Sequence, residues 1–213
     1  MKKFTTLSIL FLLLFSCTKE EKTTIQPVPT EKIIEIKTSF GNMYMWLYKE
    51  TPLHRANFLA LADTNFFDNT TFHRCVDKFV IQGGDPNSKD ADPANDGSGG
   101  PGYTTPAEIN TSNTKLLHTY GAVGAARLGD AQNPTRASSG SQFYIVLPTA
   151  GTPHLNGDYT VFGRIIKGME VAAEIVKQPK NTSNGRPNND IKMDVNILEK
   201  TTQQLLDEYS FTP

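Results

Sequence analysis

From Ile33 onward the chain alternates short apolar runs with clusters of glycine, proline, asparagine and aspartate, the punctuation of a β-rich fold. Ile33 to Lys37 and Met43 to Tyr48, joined at Phe40-Gly41-Asn42, predict a first hairpin. Thr51-Pro52 starts a helix in which Ala56, Phe58, Leu59, Leu61 and Ala62 recur at roughly helical spacing as far as Asp63. Further strands are predicted at Thr71 to Val76, Phe79 to Gln82, Gly121 to Ala126, Gln142 to Leu147, Thr160 to Ile166 and Asp190 to Leu198, with a second helix over Met169 to Val176. Many short strands with little alternation of strand and helix point to an antiparallel barrel or sandwich. There is no internal repeat, and residues 31–200 read as a single domain followed by a tail, 201–213. The segment Asp85 to Pro106, with Gly97-Ser98-Gly99-Gly100-Pro101-Gly102 inside it, reads as an ordered surface loop.

Before Ile33 the pattern is of another kind. Lys2 and Lys3 precede an apolar run from Leu7 to Phe15, too short to span a bilayer stably, so residues 1–16 read as a secretory signal. An ordinary cleaved signal would satisfy that pattern. Leu14-Phe15-Ser16-Cys17 resembles a bacterial lipobox and favours cleavage before Cys17, with lipid on its sulfur and its new amino group. Several acyl chains would then hold the protein on a membrane of the cell envelope, at the outer membrane or periplasmic face or on the cell surface. Thr18 to Thr30 carries Lys19, Glu20, Glu21 and Lys22 with Pro27 and Pro29 and almost nothing apolar, the composition of a disordered tether. Its Lys19-Glu20-Glu21 run resembles signals that send some lipoproteins to the surface, although charge runs in tethers are ordinarily just solvated.

Composition narrows the partners. With 21 basic and 22 acidic residues the formal charge is -1, which supplies no broad field for nucleic acid or an anionic membrane face. Once Cys17 carries lipid, Cys75 is left alone, so a disulfide within the mature monomer is unavailable and Cys75 reads as a small buried hydrophobe. Asp85, Asp90, Asp92 and Asp96 invite a calcium reading. A helix–loop–helix calcium site wants glycine sixth and glutamate twelfth, and counting from Asp85 those places hold Asp90 and Asp96. A solvated loop is the better reading, and neither metal nor cofactor is expected.

The stretch from Phe72 to Asp85 carries the most chemistry. It sets Arg74 among apolar, strand-forming residues and closes with Gln82-Gly83-Gly84-Asp85. Arginine stays charged, offers five donors in a planar fork and is weakly hydrated enough to act in a partly dry pocket.

Phe67, Thr70, Phe72-His73-Arg74, Phe79-Val80 and Gln82-Gly83-Gly84-Asp85 together resemble the signature of the cyclophilin family of peptidyl-prolyl isomerases. Two later blocks are similar to the same family: Gly121 to Arg127 followed by Ser138 to Ile145, and Leu155-Asn156-Gly157-Asp158-Tyr159-Thr160-Val161-Phe162-Gly163. The resemblance runs from about Ile33 to Leu198. It implies a mainly β fold, a closed eight-stranded antiparallel β-barrel capped by two α-helices, with a peptide groove on its outer face. It also implies a monomeric, cofactor-independent isomerase acting on proline-containing peptides and on folding proteins. Arg74 falls on the catalytic position for rotation about an Xaa-Pro amide. Resonance gives that C–N bond a barrier of roughly 18 to 20 kcal/mol, and as rotation breaks conjugation the nitrogen becomes pyramidal and regains a lone pair. A fixed cationic donor binds the twisted state better than either planar one. Phe79, Val80, Tyr144 and Leu155 fall on the floor and walls of the proline pocket, Gln82 and Ala126 on positions that hold the substrate backbone, and Tyr159 on a groove position often filled by histidine. Ala125, Arg127 and Gln142 complete the expected substrate-binding set, with His154 where many members carry tryptophan. Val80 and Tyr144 replace the commoner methionine and phenylalanine and keep the wall apolar. His154 removes an indole N–H and much apolar area, which resembles members that bind cyclosporin poorly.

Plainer readings compete at the same positions. Arg74 could form a salt bridge with Asp85. His73 points to the opposite strand face and is best read as a satisfied core histidine. Ser141, His73 and Asp85 assemble into a hydrolase triad only on paper, without a nucleophile elbow. Gly83, Gly84, Gly99 and Gly100 suit tight turns better than a phosphate loop. Phe66, Phe67, Phe72, Phe143 and Phe162 suit a barrel core, and Tyr159 fits either the groove wall or the core edge. At the level of function, the alternatives are a proline-peptide binding module or holdase with little turnover, and an envelope protein that keeps only the barrel.

Overall fold

The computed structural model describes residues 28–213; the signal, Cys17 and most of the tether lie outside them. Strands β1 (Thr30–Thr38) and β2 (Gly41–Leu47) make the predicted hairpin, its turn closed by the Thr38 hydroxyl, which donates to the Gly41 carbonyl and accepts from the Phe40 N–H. Helix α1 (Pro52–Asp63) begins on the proline, whose fixed φ suits a first helical turn. Then follow β3 (Thr70–Thr71), β4 (Arg74–Val76), β5 (Val80–Gly83), β6 (Thr104–Thr105), β7 (Ala122–Ala125), β8 (Ser138–Ser139), β9 (Phe143–Val146) and β10 (Val161–Lys167). Helix α2 (Met169–Val176), strand β11 (Lys192–Thr201) and helix α3 (Thr202–Tyr209) complete the chain.

Nine strands form one antiparallel sheet in the order β3-β11-β1-β2-β10-β7-β9-β5-β4, while β6 and β8 pair separately. The two edge strands, β3 and β4, are separated in the chain only by Phe72 and His73. The curled sheet therefore begins and ends on one stretch, 70–76, which bridges its two edges without a ladder between them. Counted once, that stretch makes eight strands, the number the family resemblance implies. The stretch is broken because it changes partners: the Phe72 N–H donates to the Ile191 carbonyl, and the Cys75 N–H to Gly185.

Alternation along the strands sorts two apolar clusters. Met43, Met45 and Leu47 of β2 face the barrel interior with Ile81, Val123, Phe143 and Ile145, closed off by Phe58, Leu61 and Ala62 of α1 and by Val171, Ala172 and Ile175 of α2. Phe58 stacks on Phe67 at 4.6 Å between centroids, and Phe143 meets both rings edge-on, so the phenylalanines supply core packing as expected. The opposite faces of the same strands carry Ile33, Trp46, Tyr48, Val80, Ala122, Tyr144 and Val146. That outer band also holds Leu205 and Tyr209 of α3, so residues read as a tail contribute a third helix packed on the barrel. A reciprocal capping box starts α3: the Thr201 hydroxyl accepts from the Gln204 N–H, and the Gln204 side chain accepts from the Thr201 N–H.

The loop after β5 is fixed from inside. Gly84 has φ +84°, and a Cβ there would stand 2.4 Å from the Ser141 carbonyl oxygen, so the turn requires glycine. Asp85 is fully buried, its carboxylate accepting from the N–H groups of Asn87 (2.8 Å) and Gly99 (3.1 Å). Asp96 pairs with Arg186 at 2.6 Å, while Asp90 and Asp92 accept from backbone N–H groups two residues on. The four acids are thus engaged in holding the loop ordered.

Candidate active site

Arg74 stands on β4 opposite Gln82 of β5, and the strand pairing sends both side chains to the outer face. Cys75, one residue on, turns inward, where burial pushes its thiol up to about 12. The Arg74 guanidinium lies 5.8 Å from the centre of the Phe79 ring, and its Nη1 donates to Gln82 Oε1 over 3.4 Å. Among the described residues no carboxylate pairs with it. Asp85, the partner that the plainer reading would use, is occupied by backbone donors.

A relay of amides orients Gln82. Gln142 spends its Nε2 protons on the carbonyls of Gly97 (2.9 Å) and Gly99 (2.8 Å), so its Oε1 must face the Nε2 of Gln82 at 3.0 Å. That leaves the Gln82 oxygen turned toward Arg74, where it holds the fork by one long bond and leaves its other donors free.

Arg74, Phe79, Val80, Gln82, Ala126, Arg127, Tyr144, Leu155 and Tyr159 line one cavity of about 230 Å³. Val80, Tyr144 and Leu155 supply its apolar wall; two guanidinium groups stand at its edge, and no acid among the described residues lines it. The two arginines differ in what they can do. Arg127 is spent as a strut: its Nε donates to the Asp158 carbonyl at 2.7 Å, its Nη1 pairs with Asp130 at 2.6 Å, and its guanidinium lies 4.6 Å from the centre of Tyr159. Arg74 alone of the two presents an uncompensated charge. Tyr159 lines the cavity wall and at the same time packs against the outer apolar cluster.

Three residues expected to bind substrate are placed elsewhere. Ala125 points into the barrel core because its neighbour Ala126 points out. Gln142 is buried behind Gln82 and reaches the cavity only through it. His154 stacks on Phe79 with ring centres 5.7 Å apart and does not line the cavity. Ala126 lines it, but its N–H already donates to the Gln142 carbonyl, and its own carbonyl accepts from Ser139, leaving one lone pair for a peptide. The backbone hydrogen-bonding groups of Ala126 are therefore less available than the motif alone suggests.

The histidines also depart from expectation. His73 is buried as predicted; neither ring nitrogen meets a partner at full hydrogen-bond geometry among the described residues, and the hydrogen-bonding group that favours its charged form is the Thr71 backbone beside it. Burial pushes its pKa down against the pull of Asp85 and Asp96. The paper triad does not assemble: Ser141 Oγ is likewise unpartnered. A different Ser–His–Glu chain does exist, with Ser138 Oγ 2.9 Å from His54 Nε2 and Glu108 Oε2 2.6 Å from His54 Nδ1. Burial outweighs Glu108 and lowers the His54 pKa. With Ser138 1% exposed, this chain ties α1 to β8 and offers no accessible nucleophile. His118 is the residue that sequence reasoning missed. The signal was Tyr144 itself, since a hydroxyl set into an apolar wall needs a buried partner.

A curled antiparallel barrel with a small, partly apolar cavity on its outer face and a free cation at the rim has room for one ring and a donor for a polarisable bond beside it. Residues 33–197 match the family described as Cyclophilin type peptidyl-prolyl cis-trans isomerase/CLD, and the chain belongs to that family. It is 41% identical over 140 residues to peptidyl-prolyl cis-trans isomerase B of Bacillus subtilis, covering 65% of this chain and 81% of that one. A Helicobacter pylori peptidyl-prolyl cis-trans isomerase is 36% identical over 143 residues, covering 66% and 77%. The crystal structure of a cyclophilin-type isomerase from Cryptosporidium parvum superposes with a TM-score of 0.68 at 28% identity, over 81% of this chain and 99% of that one. The same parasite protein has also been solved in the presence of the dipeptide Ala-Pro. The activity of the present chain is peptidyl-prolyl cis-trans isomerisation.

Proposed function

We propose that the protein accelerates Xaa-Pro rotation in proteins that fold or reside outside the cytoplasm, held to a membrane of the envelope by lipid on Cys17. Arg74 is the catalytic residue of this reading. The observation that carries the chemistry is its guanidinium, held at the cavity rim with no carboxylate among the described residues to neutralise it. The proline ring enters between Val80, Tyr144 and Leu155. Gln82 and the spare lone pair of the Ala126 carbonyl hold the preceding residue, and as the amide twists the nitrogen's new lone pair accepts a proton-sharing bond from Arg74.

Magnitudes divide the work. Bringing a lifetime of tens of seconds down to milliseconds is about 10⁴-fold, or roughly 5.5 kcal/mol, whereas one charged hydrogen bond nets about 1.5 to 3 kcal/mol. Clamping both ends of the rotating bond supplies the remainder as orientation. Exchange spectroscopy on a short Ala-Pro peptide tests the reaction directly; magnetisation transfer no faster with enzyme than in buffer would refute it.

The anchor rests on Leu14-Phe15-Ser16-Cys17 and the polar segment after it. No helix among the described residues is long and apolar enough to cross a membrane. Cells fed radiolabelled fatty acid should label the natural chain and not a Cys17→Ser variant. Equal labelling of the two would remove the anchor from this reading.

A further inference from the structure

Tyr144 lines the cavity with its ring, yet its hydroxyl is taken by a residue that does not line it. Tyr144 Oη lies 2.9 Å from His118 Nε2, and His118 Nδ1 lies 2.9 Å from Asn156 Oδ1. The proton positions along this chain can be worked out. The His118 backbone N–H also meets the Asn156 side chain at 2.9 Å, so the Asn156 atom there must be its oxygen. An oxygen accepts, so His118 carries its proton on Nδ1, Nε2 is bare, and the Tyr144 hydroxyl donates. His118 is 2% exposed and Tyr144 4%. Burial keeps both neutral, pushing the imidazole below its ordinary range and the phenol well above its own.

A second observation concerns the strand beside it. Gly124 of β7 pairs with Tyr144 of β9, and a Cβ on Gly124 would stand 2.4 Å from Tyr144 Cζ and 2.5 Å from Oη. The end of the phenol thus occupies the place of a side chain at 124. His118 also grips the opposite wall: its carbonyl accepts from Thr152 at 2.8 Å, and its partner Asn156 directly follows Leu155, which lines the cavity.

We propose that His118 and Gly124 are positioning residues of the proline pocket. His118 draws the Tyr144 ring back into the space left by Gly124, and through Asn156 it ties that wall to the Leu155 wall, so one buried imidazole sets the gap a proline ring must fit. The inference rests on this cavity being the isomerase pocket and is independent of the anchor.

The test measures KM and kcat for a short Ala-Pro peptide in a protease-coupled assay, with the wild type as reference and thermal unfolding followed in parallel. In His118→Leu the hydroxyl is stranded and turns the ring toward the cavity, raising KM about ten-fold with a smaller change in kcat. Adding Tyr144→Phe removes the stranded group and should restore most of KM, with the Tyr144→Phe single variant as the baseline. A purely structural role for His118 gives the opposite order, the double variant being no better than His118→Leu. Gly124→Ala tests the same point with His118 intact. The added methyl meets a tethered ring and raises KM, and the rise should shrink when Tyr144→Phe frees the ring. An unchanged KM in His118→Leu, no recovery in the double variant, or equal KM rises for Gly124→Ala with tyrosine and phenylalanine would overturn the proposal.

Discussion

Replacing Arg74 by alanine separates the charge at the rim from everything else in the groove. The side chain's polar contact with the protein is one 3.4 Å bond to Gln82, supplemented by the Phe79 ring at 5.8 Å, and no carboxylate among the described residues depends on it. Removing it leaves no buried charge unpaired, so stability should change by less than about 0.5 kcal/mol, the ordinary range for a surface position. Turnover should respond differently. The lost bond to the pyramidal nitrogen is of the charged kind, about 1.5 to 3 kcal/mol, which predicts a fall in kcat/KM of roughly ten- to 150-fold. Peptide binding should persist, because Val80, Tyr144 and Leu155 still seat the ring. Arg74→Lys should fall between, since it keeps the charge and loses the planar fork. Exchange spectroscopy gives turnover, chemical-shift titration gives binding, and thermal unfolding gives stability on the same samples. Unchanged turnover in Arg74→Ala would refute the mechanism. So would a loss of activity matched by a loss of several kcal/mol in stability, which is what breaking a buried ion pair costs.

Two further predictions use other parts of the molecule. His54, His73 and His118 are all held below the ordinary histidine value of 6.5 by burial. On acidification the unfolded chain takes up their protons first, so stability should be full above about pH 6.5 and fall below it, by up to about 1.4 kcal/mol per pH unit for each histidine. Urea unfolding at a series of pH values checks the sign, and a protein that gains stability through this window contradicts it. Cyclosporin should inhibit weakly, since His154 lies flat on Phe79 and adds nothing to the cavity wall; a nanomolar inhibition constant in the isomerase assay would show otherwise.

What could be read from the chain, and what could not, follows from the range of the interactions. The β1–β2 hairpin, α1 beginning at its proline and α2 over Met169–Val176 rest on local pattern and turn chemistry, and they fall where the sequence puts them. The break at Phe72-His73 was not legible because it arises from a change of hydrogen-bond partner, from Ile191 to Gly185, which no local pattern records. Helix α3 was legible and overlooked: Thr201-Thr202-Gln203-Gln204 spells a capping box, but the polar run hid the buried Leu205 and Tyr209. In the site, the motif blocks located Arg74, Phe79, Val80, Gln82 and Leu155 on one cavity. They overreached at Ala125, where simple strand alternation with Ala126 would have assigned the inward side. His118 escaped because its meaning lies in Tyr144, twenty-six positions away, and in a glycine on the neighbouring strand.

The ring of strands also fixes how the molecule presents itself. Read around the barrel with 70–76 counted once, β1 stands four strands from β9 in either direction. The polypeptide enters at Thr30, directly beside Thr201, on the flank farthest from the strand that carries Tyr144. A pull applied to the chain at Thr30 would be borne lengthwise by the two ladders of β1, on β2 and β11, before it reached the strand that carries Tyr144.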